Sequence, residues 1–158
     1  MGGLPLKFSG GDFKEFYLGA LLRNDPSLIP NSPGIYAVKN KKFILVYIGQ
    51  AKGKFVHRPR SLRDRFFKNH FKDRARCSRL RRLVARELSI PSYTDNSGHA
   101  AVEKKYEGRI TRYIDEELYI SFIGADWDRV NALEIAAIKE LKPIWNVQHS
   151  HNCSPMIG

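Results

Sequence analysis

Residues 34–48 constrain this chain more than any other stretch. Ile35-Tyr36-Ala37-Val38 and Phe43-Ile44-Leu45-Val46-Tyr47-Ile48 are runs of β-branched and aromatic residues, and the polar Asn40-Lys41-Lys42 separates them. Two such runs flanking a short polar turn form a hairpin, because branched and aromatic side chains pack well on a pleated surface. With the turn centred between Lys41 and Lys42, Tyr36 pairs directly with Tyr47 and both hydroxyls project from one face of the sheet. An odd-numbered loop or a bulge would separate them, and the residues leave that register open. Two tyrosines brought together in this way are either a plain cross-strand aromatic pair or the start of a polar site.

At 158 residues the chain is long enough for one domain with a core of its own. It has no run of about eighteen apolar residues, which argues against a membrane span. Its N-terminus lacks the basic-then-apolar pattern of a signal peptide, so a cytosolic protein is expected. Two cysteines, Cys77 and Cys153, are too few for a disulfide framework.

The net charge of +11 is large for this length. A basic balance suits nucleic acid, an acidic membrane surface or plain solubility, and the distribution narrows the choice. Between Lys52 and Arg86 the cations crowd together, with only Asp64 and Asp73 interrupting and Phe55, Phe66, Phe67 and Phe71 interleaved. A solvated helix face mixes both signs, whereas a one-sign, arginine-rich run suits bidentate phosphate contacts. Lys52, Lys54, Arg58, Arg60, Arg63, Lys68, Arg79 and Arg82 are the candidate nucleic-acid-binding residues.

Elsewhere the periodicity is coarser. Phe13, Phe16, Tyr17, Leu18, Leu21 and Leu22 recur at helical spacing, so residues 1–30 read as an N-terminal extension with one amphipathic helix ending near Asn24-Asp25-Pro26. It either packs on the sheet or makes a dimer contact. Gly49 to Arg60 is irregular, broken by Gly53 and Pro59. Ser61-Leu62-Arg63-Asp64 fits a capping box opening a helix. A second helix is expected from about Arg76 to Leu88, burying Cys77, Leu80, Val84 and Leu88 with its arginines opposite. Pro91 to Arg109 reads as a long loop or insertion. Leu118 to Ile123 reads as a third strand, and a last helix carries Val130, Leu133, Ala137, Ile138 and Leu141 up to Pro143. His149, His151 and Cys153 in the tail are too tightly spaced for a good zinc site.

Gly34-Ile35-Tyr36 and Tyr47-Ile48-Gly49 at this spacing resemble the signature of the GIY-YIG nuclease family. Arg65 in a following helix, Glu134 in Ala132-Leu133-Glu134-Ile135 and Asn146 in Pro143-Ile144-Trp145-Asn146 extend the resemblance over roughly residues 31–149. It implies an α/β (α+β sandwich) fold, a small central antiparallel sheet of about three strands flanked by helices, with the nuclease domain at 31–149 and a tail at 150–158. The segment between Gly49 and the arginine helix is longer here than is usual in the family.

The resemblance also implies chemistry. Glu134 would hold a divalent cation, and one carboxylate with waters and substrate phosphate suits Mg2+, with Mn2+ able to substitute. Arg65 would stabilise charge on the phosphoryl oxygens as a permanently protonated fork, with Arg63, Arg60 and Arg58 as alternatives. Tyr36 would be the general base toward water and Tyr47 would position water or phosphate, or the reverse. A free tyrosine, with a pKa near 10, needs help to act as a base at neutral pH; a nearby Arg65 and a cation would supply it.

His70 lies five residues after Arg65, about 140° around an ideal α-helix, so the two would not share a face. Either the helix ends or bends first, or His70 is a surface residue, with His57 an outside alternative. Asn146 would be a strut near Glu134. The function implied is a metal-dependent DNA endonuclease, such as a type II restriction or phage-type enzyme, acting in a prokaryotic or phage-infected cytoplasm. A double-strand cut would call for a homo-oligomer or transient dimer on DNA. The alternative is a nucleic-acid-binding module that keeps the fold without turnover.

Overall fold

A computed structural model describes residues 10–72 and 74–148. Its centre is an antiparallel sheet of four strands: β1 (Tyr17–Leu18), β2 (Gly34–Lys39), β3 (Leu45–Ala51) and β6 (Tyr119–Gly124), in the order β1-β6-β2-β3. The architecture is the expected sandwich of helices around a small antiparallel sheet, with a fourth strand beyond the three expected. That strand comes from the N-terminal segment. Residues 13–22 do not form one amphipathic helix: Tyr17 and Leu18 pair with Ile120 and Tyr119, and only Gly19–Asn24 is helical (α1). A Cβ at Gly19 would collide with the Ile114 carbonyl, so a glycine lets the chain turn closely there from strand into helix. The helix stops at Asn24, before Pro26, as expected.

The hairpin register differs from the simplest expectation. Tyr36 pairs with Gly49, and Tyr47 with Val38. Asn40 is the cause. Its side-chain oxygen accepts from the amides of Lys42 (2.9 Å) and Ile44 (3.1 Å), and its own amide donates to the Ile44 carbonyl at 2.9 Å. The loop is therefore odd-numbered, Phe43 closes it at a positive φ of 61°, and an irregularity between Val38 and Lys39 slips the pairing again. Together the two shifts move the register by an even step, so Tyr36 and Tyr47 stay on one face as diagonal neighbours.

That face packs a large core: Tyr36, Val38 and Tyr47 meet Leu22 of α1, Leu62 of α2 (Leu62–Arg65), Leu80 and Val84 of α3 (Arg79–Glu87), and Ile110 and Ile114 of α4 (Lys104–Glu117). The opposite face carries Ile35, Ala37 and Ile48 against Phe13 and against Val130 and Ala137 of α5 (Val130–Leu141). Lys142 ends α5 in a left-handed conformation, and a short α6 (Ile144–Gln148) follows Pro143.

Residues 91–109 are not a structureless loop. They form a small hairpin, β4 (Ser92–Thr94) with β5 (Ala100–Val102), and the start of α4. Asp95 shapes its turn by accepting from the amides of Ser97 and His99, both at 2.9 Å. α3 is shorter than the expected 76–88 helix, because Ser78 caps it by accepting from the Arg81 amide at 3.1 Å; Cys77 precedes the cap and is half-buried.

Nor do all the arginines of α3 face outward. Arg81 is fully buried and pairs with Glu107 of α4 at 3.3 Å, while donating to the His70 carbonyl (3.3 Å) and Thr111 Oγ1 (3.0 Å). Glu107 also accepts from the Ala75 amide at 2.7 Å. A buried pair of this kind is tolerated because each charge is hydrogen-bonded. Among the described residues no helix is long and apolar enough to cross a membrane.

Candidate active site

The rings of Tyr36 and Tyr47 sit 5.9 Å apart, centroid to centroid, and are 1% and 5% exposed. Burial is the main reason both phenols are pushed above their ordinary pKa, Tyr36 well above it; Arg65 pulls the other way on Tyr36, as Arg79 does on Tyr47. The second glycine of the motif makes room for this pair. A Cβ at Gly49, directly across the ladder from Tyr36, would run into the Tyr36 ring and its hydroxyl.

His70 reaches the tyrosines by a change of helix type. After Arg65 the chain widens into a π turn over Phe66–His70, and the Phe71 amide donates to the Phe66 carbonyl at 2.7 Å. Five residues then make about one turn rather than well over one, and such turns recur at functional sites. His70 is consequently not on the surface. It is fully buried, with Nε2 2.8 Å from the Tyr36 hydroxyl and Nδ1 2.6 Å from Ser78 Oγ. Burial first, then the positive charge of Arg65, pushes its pKa well below the ordinary histidine value, so the ring is neutral. His57, by contrast, lies on an exposed turn stacked on Phe55.

Beside the tyrosines lies a cavity of about 500 Å³. It is lined by Tyr36, Tyr47 and Gln50 of the hairpin, by Lys52 and Lys54 beyond it, by Arg60, Arg65, Arg79 and Arg82, and by Glu134. Glu134 comes from α5, on the other layer of the sandwich, so the cavity is shared by both layers beside the edge strand β3. Burial pushes the Glu134 carboxyl up to about 7, with Arg79 opposing.

Among the buried polar atoms lining it, Arg65 Nε and Gln50 Oε1 have no hydrogen-bond partner. Such atoms are costly unless a ligand or water completes them. A pocket-facing carboxylate and an unsatisfied amide oxygen are hard oxygen donors, the kind a hydrated Mg2+ accepts. Among the described residues, no group of three or more His, Cys, Asp or Glu side chains gathers to hold a metal; His149, His151 and Cys153 lie outside them.

Of the other cations singled out from sequence, Arg63 lies away from the cavity and donates to the Ile29 carbonyl at 3.0 Å. Lys68 is exposed beside Asp64 at 3.9 Å, and Arg58 sits on the exposed turn. Asn146 braces the edge strand: its side chain accepts from the Ile48 amide at 2.8 Å and donates to the Ile48 carbonyl at 3.0 Å, as a neighbouring strand would.

Sequence reasoning passed over Ser78 and Gln50. Ser78 had a readable signal, a serine just ahead of an apolar-periodic run. Gln50 had none, since strand alternation puts it on the face opposite Tyr47 and only the edge position of β3 turns it to the cavity.

The family model for the GIY-YIG catalytic domain matches residues 21–156, most of the chain. This chain therefore belongs to the GIY-YIG family, and that membership carries a nuclease-type, hydrolytic function in general. No curated protein matches the sequence closely enough to count as a relative.

Proposed function

We propose that this protein is a divalent-metal-dependent DNA endonuclease that hydrolyses phosphodiester bonds. One observation carries the reading: Tyr36, Tyr47, Arg65 and Glu134, drawn from a hairpin, a helix end and the opposite layer, converge on a single cavity ringed by cations. A polyanionic strand fits that field, and a neutral or cationic substrate does not.

Glu134 would hold the cation, Mg2+ or Mn2+, with Gln50 Oε1 a further oxygen acceptor lining the same cavity. When bound, the ion supplies Lewis-acid charge neutralisation at the phosphate. Arg65 turns its unpartnered Nε to a phosphoryl oxygen, adding a fixed donor where negative charge builds.

Tyr36 takes the proton of the attacking water. Burial holds its phenol protonated, so it gives up its own proton as it takes the water's. His70 receives it: with Nδ1–H donating to Ser78 Oγ, the Nε2 lone pair faces the Tyr36 hydroxyl. Ser78 Oγ has a second lone pair for the Arg81 amide, so one oxygen can accept both bonds, as this tautomer requires. Tyr47, lining the same cavity, orients the water or phosphate.

The test is plasmid cleavage with Mg2+ or Mn2+, comparing the wild type with Glu134→Ala and with EDTA as control. Nicks or breaks by the wild type alone support the reading. Discrete fragments would point to a type II restriction or phage-type enzyme working in pairs, and a smear to slight specificity. Tight binding without cleavage of duplex or branched DNA would replace the enzyme with a binding module.

A further inference from the structure

The long segment between Gly49 and the arginine helix folds into a braced finger on the rim of the cavity. At its root, the Arg60 amide donates to the Lys52 carbonyl at 2.8 Å and Trp127 Nε1 donates to the Gly53 carbonyl at 3.1 Å. The Lys52 ammonium lies 4.2 Å from the centroid of the Trp127 ring. Gly53 has a φ of 79°, and a Cβ there would press on the Arg58 carbonyl and the Arg60 amide, so a glycine lets the two arms approach. The tip is a tight turn in which Arg58 N–H donates to the Phe55 carbonyl at 3.0 Å.

This rigid turn holds its apolar groups outward. Phe55 is 50% exposed and Val56 63%. The His57 ring stacks on Phe55 with centroids 5.5 Å apart and planes 28° from parallel. Lysine and arginine flank the tip on both sides, at Lys54 and Arg58, and Lys52, Gly53 and Lys54 form part of the cavity wall. The Phe55 ring meets groups of its own turn, His57 and the Lys54 ammonium 5.6 Å from its centroid, and still stands half exposed. Aromatic rings set among cations suit a polyanion that also carries flat apolar faces.

We infer that Phe55 at the finger tip stacks on an unstacked base of the nucleic-acid strand whose phosphate lies in the cavity, giving the protein a preference for single-stranded, mismatched or otherwise distorted substrate over regular duplex. The inference rests on the nuclease reading only in placing a nucleic-acid strand in that cavity. Cations of the wall hold the backbone and the aromatic tip holds a base, the division of labour that single-strand binders use. On a regular duplex the tip must first wedge a base step open, which costs binding energy.

The experiment titrates the full chain, with EDTA present so that nothing is cut, into single-stranded, mismatched and fully paired oligonucleotides carrying 2-aminopurine at successive positions. Wild type, Phe55→Ala and Phe55→Tyr are compared, and cleavage of plasmid and of the same oligonucleotides by the wild type with Mg2+ is measured in parallel. Wild type and Phe55→Tyr should alter the fluorescence at one position, as stacking on a new partner does, and prefer the unpaired substrates. Phe55→Ala should lose that signal and bind those substrates about 5- to 100-fold more weakly. Its salt dependence should stay unchanged, because no charge is removed.

Phe55→Ala binding and signalling like the wild type would overturn the inference, whether or not the wild type nicks DNA. So would a change in sedimentation without a change in DNA affinity, which would make the tip a contact between copies of the chain. A Phe55-dependent signal without cleavage of the plasmid or of the unpaired oligonucleotides in Mg2+ would uphold the finger and sink the nuclease reading instead.

Discussion

The Tyr36 hydroxyl lies 2.8 Å from Nε2 of His70, inside the protein. Both residues are almost fully buried, and Phe66 packs edge-on against each ring, at 4.9 Å and 4.8 Å between centroids. The relationship depends on the π turn, because an α-helical course from Arg65 would carry His70 to another face. In the proposed mechanism it makes a tyrosine with a raised pKa one step of a proton path.

Removing either end of that path should stop the chemistry while leaving the strand bound. Tyr36→Phe and His70→Gln are expected to lower single-turnover cleavage by about 10²–10⁴-fold with DNA affinity in EDTA close to that of the wild type. Tyr36→Phe also leaves His70 Nε2 buried without a partner, so thermal denaturation should show a loss of about 1–3 kcal/mol. Cleavage by Tyr36→Phe at the wild-type rate would exclude the phenol from proton transfer.

Glu134 should cost the free protein stability as it ionises. Its pKa is up at about 7 in the fold against about 4.5 for an ordinary glutamate, so between those values the unfolded chain binds fewer protons than the folded one. Stability therefore falls as pH rises through that window. Glu134→Gln removes the loss: without metal it should melt higher than the wild type at about pH 8, by on the order of 1 kcal/mol after solvent screening, and not at about pH 4. Added Mg2+ should raise the melting temperature of the wild type and leave Glu134→Gln where it was. Equal stabilisation of both proteins would place the ion elsewhere.

Gly49→Ala tests the packing of the site without removing a reacting group. The new methyl would overlap the Tyr36 ring and hydroxyl; a tightly packed ring can yield only by leaving its rotamer, at about 1–3 kcal/mol. Cleavage should fall with stability, and the ring NMR signals of Tyr36 should shift. A variant that folds, melts and cuts like the wild type would show that the ring is free to move.

Asn146→Ala removes both bonds to Ile48 and reopens the edge of β3. A loss of about 1–3 kcal/mol is expected, with faster exchange of the Ile48 amide, which should be the most affected site in the hairpin. If that amide keeps its protection, the brace contributes nothing.

Local patterning decided much of this protein before any tertiary contact. The β-branched and aromatic runs in residues 34–48 dictate a hairpin, and Ser61 caps the arginine helix as its spacing requires, accepting from the Asp64 amide at 3.0 Å. Those are short-range consequences of strand period and unsatisfied helix amides.

The rest needed partners distant in the chain. Tyr17 and Leu18 have helical spacing but join the sheet because Ile120 and Tyr119 offer a free edge. Arg81 reads as a surface cation but is buried because Glu107, Thr111 and the His70 carbonyl surround it. Residues 92–102 become a hairpin through the Asp95 turn and cross-strand pairing. His70 illustrates the division best: sequence put it five residues past Arg65, and only the three-dimensional packing of Phe66, Ser78 and Tyr36 around a widened turn decided which way the ring would face. Periodicity reports the local backbone, whereas the free energy that selects a π turn, a buried arginine or an added edge strand comes from neighbours that only the folded chain assembles.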